Sequence, residues 1–175
     1  MLHFRLACLS FVVWLVAGTP VFAQSRHADP ALEALLPEVL GGIALIRESQ
    51  SGIELKRQSD AFDAFLKSLG KGRDAFVVAS AYAPSGLRAE VGAWRVTGAS
   101  GADILPAFRA ALQGSSDVRL DEAEEMLAGR RVLRFGSQGQ LSRGPLYAMV
   151  GKKALFFVQT SEKALATEAI GKLGD

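Results

Sequence analysis

Residues 76–114, FVVASAYAPSGLRAEVGAWRVTGASGADILPAFRAALQG, decide the fold class. The β-branched and aromatic run Phe76 to Tyr82 predicts a strand. Pro84-Ser85-Gly86 supplies a turn, and Leu87 to Thr97 is long enough for a second strand antiparallel to the first. A helix follows, starting near Asp103, with Pro106 close to its first turn where the missing N–H costs least. Leu105, Phe108 and Leu112 share a face of that helix, and Gly114 ends it. A tight hairpin followed by an amphipathic helix points to an antiparallel α+β domain.

Upstream the same order is expected. Ile43 to Arg47 and Ile53 to Arg57 are β-rich, and Ser49-Gln50-Ser51-Gly52 between them has turn composition. A helix beginning at Ser59 or Asp60 places Phe62, Phe65, Leu66 and Leu69 on one face and stops at Gly70. Downstream, Val118 to Phe135 reads as a hairpin turning at Ala128-Gly129, although Leu120, Ala123 and Leu127 also fit a helix face. Strands Leu146 to Val150 and Ala154 to Gln159 come next, around Gly151-Lys152-Lys153. A last helix, capped by Thr160 or Ser161, buries Leu165, Ala169, Ile170 and Leu173. The reading is therefore α+β, a mainly antiparallel sheet with three helices packed on one face and the other face free to be wet, built from what resemble degenerate ββα repeats.

The chain opens on Arg5, an apolar run from Leu6 to Ala17, the helix breakers Gly18 and Pro20, and then Val21-Phe22-Ala23. A short apolar core with small residues before a cut is the pattern of a secretory signal peptide, with cleavage between Ala23 and Gln24. A membrane anchor needs roughly 20 apolar residues, more than this run holds. Residues 1–23 are read as the signal, 24–41 as a leader and 42–175 as one domain. In the leader, Asp29-Pro30 offers an N-cap and a proline at the first helical position, ahead of Leu32, Leu35 and Leu36. Export places the mature chain in the periplasm or outside the cell, without a membrane span.

Cys8 is the single cysteine and lies in the signal, so the mature chain forms no disulfide and no thiolate metal site. Its stability rests on packing, which about 150 residues can supply. Arg5 is the only charged residue of the signal, leaving 19 basic against 18 acidic side chains. Such a balance gives no support to nucleic-acid binding. No cofactor fingerprint is present. Gly151-Lys152-Lys153 has leucine, Leu146, where a phosphate loop needs glycine, and there is no G-x-G-x-x-G.

His27 is the one histidine of the mature chain, which weighs against triads, Cys-His dyads and zinc. No Ser-x-x-Lys occurs, and Gly136-Ser137-Gln138-Gly139 lacks the spacing of a nucleophile elbow. Asp121, Glu122, Glu124 and Glu125 form the densest acidic group and are candidate ligands for calcium or another hard cation. Arg130, Arg131 and Arg134 follow them, and cross-strand charge pairing accounts for both sets without a metal. Trp94 is the mature chain's only tryptophan. Leu87, Ala89, Val91 and Ala93 alternate on one face of its strand and Trp94 and Val96 on the other. Either both faces are covered, or Trp94 stands on a wet face with Arg88 and Arg95 as a contact for a protein, glycan or small ligand. The functional expectation is an exported, non-catalytic binding or interaction module. The alternatives are a hydrolase using the carboxylates at 121–125 and a structural or assembly protein of the cell envelope.

Overall fold

The structure is a computed structural model; it describes residues 27–55, 60–84, 89–114, 119–136, 140–141 and 143–174. The fold is α+β, built on a seven-stranded antiparallel sheet. In chain order its elements are α1 (Pro30–Glu33), β1 (Val39–Leu40), β2 (Ile43–Ala44), β3 (Ile46–Ser51), α2 (Asp60–Ser68), a 3₁₀ turn at Arg73–Ala75 and β4 (Phe76–Tyr82). These are followed by β5 (Ala89–Val96), α3 (Gly101–Gly114), β6 (Glu122–Leu127), β7 (Arg130–Phe135), β8 (Leu146–Val150), β9 (Leu155–Thr160) and α4 (Lys163–Lys172). The large sheet runs β3-β4-β5-β9-β8-β7-β6, and β1 and β2 pair apart from it.

The strand expected at Phe76 to Tyr82 forms as β4, and the expected hairpin at Ala128-Gly129 joins β6 to β7. Ala128 and Gly129 both take positive φ, 50° and 74°, as a two-residue hairpin turn whose twist matches the strands requires. The hairpin expected from Ile43 to Arg47 and Ile53 to Arg57 does not form over the described residues 43–55, and residues 56 and 57 lie outside them. β3 runs through Ser49-Gln50-Ser51, paired residue by residue with β4. Ser49 looked like turn chemistry because it is polar, but it lies buried and hydrogen-bonded to Glu33 and to the backbone of Asp29. Without that hairpin the ββα repetition is not confirmed.

Helices lie on both faces of the sheet, which corrects the expectation of three on one face. Phe62 and Leu66 of α2 and Ile104, Phe108 and Leu112 of α3 pack with Phe76, Trp94, Leu155 and Phe157. Leu32 of α1 and Ala166, Ala169 and Ile170 of α4 pack with Ala79, Val91, Phe156 and Val158 on the opposite face. The cause is legible in β9, where Leu155, Phe156, Phe157 and Val158 are apolar without alternation. A strand of that kind must be covered on both sides, and every residue of β9 is buried.

The expected leader helix forms. Asp29 Oδ1 accepts from the Leu32 N–H at 3.0 Å, and Leu32, Leu36 and Leu40 are all buried in the core.

Candidate functional site

The residues singled out by sequence are dispersed. Trp94 is 6 % exposed and sits edge-on to Phe62, Phe76 and Phe108, with centroid separations of 5.9, 5.6 and 5.1 Å. It is core, and a contact through its ring would require that cluster to open. Arg95, next in the strand, points to the other face and pairs with Asp29. Arg88, Ala23 and Gln24 lie outside the described residues.

The acidic group is likewise split by strand alternation. Glu122 pairs with Arg109 of α3, and Glu124 lies 3.9 Å from Arg131 on β7. Glu125 faces the other way, taking Arg134 at 3.0 Å and Lys163 at 3.2 Å. Burial first, and then the charge of Glu125, raise the pKa of Tyr147. Among the described residues no group of three or more His, Cys, Asp and Glu side chains is placed to hold a metal ion.

His27 is held rather than free. Its Nδ1 lies 2.7 Å from Glu33 Oε2, while Glu33 Oε1 accepts from Ser49 Oγ at 2.5 Å. The serine touches the carboxylate and not the imidazole, so the order of groups is wrong for a nucleophile activated by histidine. The arrangement ties the segment before α1 to the sheet.

A different group does converge, on the α2/α3 face one row beyond the aromatic cluster. Side chains on one face of a strand recur every second residue, so Ser80 and Tyr82 of β4, Glu90 of β5 and Gln159 of β9 share the face of Phe76, Trp94 and Leu155. Register brings them together: Glu90 stands opposite Gln159, Ser80 opposite Gly92, and Glu48 of β3 opposite Ser80. Gly92 leaves room for the ring of Phe157, which lies where a Cβ at position 92 would go.

Glu90 is the chemical centre of this group. Its side chain is 13 % exposed, and Oε2 accepts from Arg143 Nη1 at 2.9 Å. Loss of hydration pushes its pKa up to about 7, against the pull of the arginine. Beside it, the Tyr82 hydroxyl bonds to Glu48; burial first, and then that carboxylate's charge and hydrogen bond, raise the phenol's pKa.

Two neighbours are left open. Ser80 and Gln159 are 7 % and 5 % exposed. Gln159 Nε2 donates to the Gly144 carbonyl at 3.3 Å, whereas Gln159 Oε1 and Ser80 Oγ are not among the side-chain oxygens buried without a partner and stay within reach of solvent.

Sequence reasoning missed this site. Ser80, Glu90 and Gln159 are polar residues in strands that are mostly apolar, and that interruption was the available signal.

Comparison with protein-family models, with curated proteins and with solved structures finds no match to this chain. No helix among the described residues is long and apolar enough to cross a membrane.

Proposed function

We propose that the protein is an exported binding module, periplasmic or secreted, that takes a small polar ligand into the crevice of Ser80, Tyr82, Glu90, Arg143 and Gln159. The observation carrying this reading is the convergence of Ser80 and Gln159 on one face of the sheet beside the desolvated Glu90 carboxyl group. A few convergent polar groups set among apolar residues are the usual make-up of a small-molecule site. Binding through the sheet is retained from the sequence reading, but at other residues than Trp94, Arg88 and Arg95. Export rests on the signal pattern, and the mass of the chain recovered outside the cytoplasm tests it: cleavage after Ala23 leaves Gln24 first.

Binding itself is tested by titrating the isotope-labelled mature chain with neutral, anionic and cationic small molecules and following its amide resonances. Saturable shifts centred on Ser80, Glu90 and Gln159 support the module. Shifts centred elsewhere reject this site.

A second reading, a carboxylate-dependent hydrolase, is favoured by one observation. A carboxyl group held near 7 is suited to general acid work at neutral pH. Its candidates are Glu90 and Glu48 rather than the residues at 121–125. Hydrolysis of aryl glycosides or esters by the purified chain, abolished in a folded Glu90→Gln variant, would establish it and displace the non-catalytic reading.

A further inference from the structure

We propose that the ligand of this crevice is a neutral polyhydroxylated compound, a pyranoside ring or a cyclitol, an inference that rests on the binding reading above. The open groups are mostly acceptors: Gln159 Oε1, Glu90 Oε1 and the two lone pairs of Ser80 Oγ. A matching ligand must therefore bring several O–H or N–H donors.

Charge decides between those two. Glu90 already has a cation, Arg143, bonded to it, and Glu48 already receives the Tyr82 hydroxyl. A cationic ligand would have to displace the arginine, and an anionic one would meet two carboxylates. Neutral hydroxyls need neither. Geometry agrees, because Glu90 and Gln159 are directly opposed on antiparallel strands, with Cβ atoms about 5 Å apart. Two planar acceptors side by side can receive neighbouring hydroxyls of one ring. The apolar C–H face of such a ring also has a partner surface. Ile46, 44 % exposed, is paired with the partly buried Tyr82 at the margin of the crevice.

The experiment titrates the whole mature chain with methyl α-glucopyranoside, methyl α-galactopyranoside and myo-inositol. Spermidine and citrate serve as charged controls, and binding is read from amide shifts and by calorimetry. At least one neutral polyol is expected to bind saturably at Ser80, Glu90 and Gln159. Gln159→Leu and Ser80→Ala are expected to weaken it about tenfold each; Ser80→Ala leaves the thermal midpoint unchanged, whereas Gln159→Leu also strips the buried Gly144 carbonyl of its donor and lowers it. If Gln159→Leu fails to fold, Ser80→Ala, which removes one oxygen, carries the comparison alone. Polyol binding that ignores these substitutions overturns the proposal. Saturable binding of spermidine or citrate at the same amides, with none for the polyols, overturns the ligand class and leaves the crevice standing. No shift at these amides with any of the five probes overturns both.

Discussion

Gly92 and Phe157 stand opposite each other on β5 and β9, and the phenyl ring fills the volume that a side chain at position 92 would need. The ring is not free to yield, because Phe157 is 4 % exposed and packs against Phe108 at 5.6 Å. Gly92→Ala is therefore an overpacking substitution, with an expected loss of about 1–3 kcal/mol. Urea denaturation measures it. An unchanged midpoint would mean the ring can slide aside, and with it the wall of the crevice.

Glu90 predicts a pH dependence of stability whose sign follows from burial. Its carboxyl titrates near the ordinary 4.5 in the unfolded chain and at about 7 in the folded one. Between those values the folded protein holds a proton that the unfolded chain has released. The contribution is fully present below 4.5, fades as pH rises through 7 and is gone above it. The shift corresponds to about 3 kcal/mol. Glu90→Gln, neutral at every pH, is expected to flatten that part of the profile. A wild-type curve that is level or rising between pH 5 and 7, once compared with Glu90→Gln, would contradict the burial argument.

How far the sequence carried depended on whether a residue's signal was local. β4 was readable from its own unbroken run of apolar and small residues, and the β6–β7 hairpin from the Ala128-Gly129 pair between two charged segments. The error at residues 43–57 came from treating Ser49 as solvated, when its partner Glu33 lies 16 positions away. The two-faced packing was foreshadowed by the unbroken apolar run of β9. The crevice could not be assembled, because Glu90 meets Gln159 and Arg143 only through a pairing of β5 with β9 that closes the sheet across α3 and three intervening strands of sequence order.

Ser49 holds two buried groups at once. Its hydroxyl donates to Glu33 at 2.5 Å and accepts from the Asp29 N–H at 2.7 Å. Ser49→Ala leaves a buried carboxylate oxygen and a buried amide unpaired, with an expected cost of about 1–3 kcal/mol. Local exchange is the sharper readout. Amide protons of Asp29 and Leu32 are expected to lose protection before those of β5 and β9, since α1 keeps only the Arg95–Asp29 pair, the Ala28 N–H bond to the Ser49 carbonyl and its packing as ties to the sheet while the central strands keep all of theirs. Uniform loss across the domain would show instead that α1 unfolds only with the rest.

The β6–β7 turn contains a correctable strain. Ala128 is the only non-glycine with positive φ among the described residues, and the left-handed conformation costs a residue with a Cβ roughly 1–2 kcal/mol. What its methyl group gains is small, because the facing position on α4 is Gly171, which has no side chain to meet it. Relief of that strain outweighs the added freedom of glycine in the unfolded chain, which offsets about 0.5–1 kcal/mol. Ala128→Gly is therefore expected to stabilise the protein by roughly 0.5 kcal/mol. Ala128→Val, which puts a β-branched side chain at the same positive φ, is expected to destabilise it. Denaturant midpoints of the two variants bracket the wild type if the turn geometry is right. Ala128→Gly falling below the wild type would show that the methyl contact with α4, and not the backbone, governs this corner.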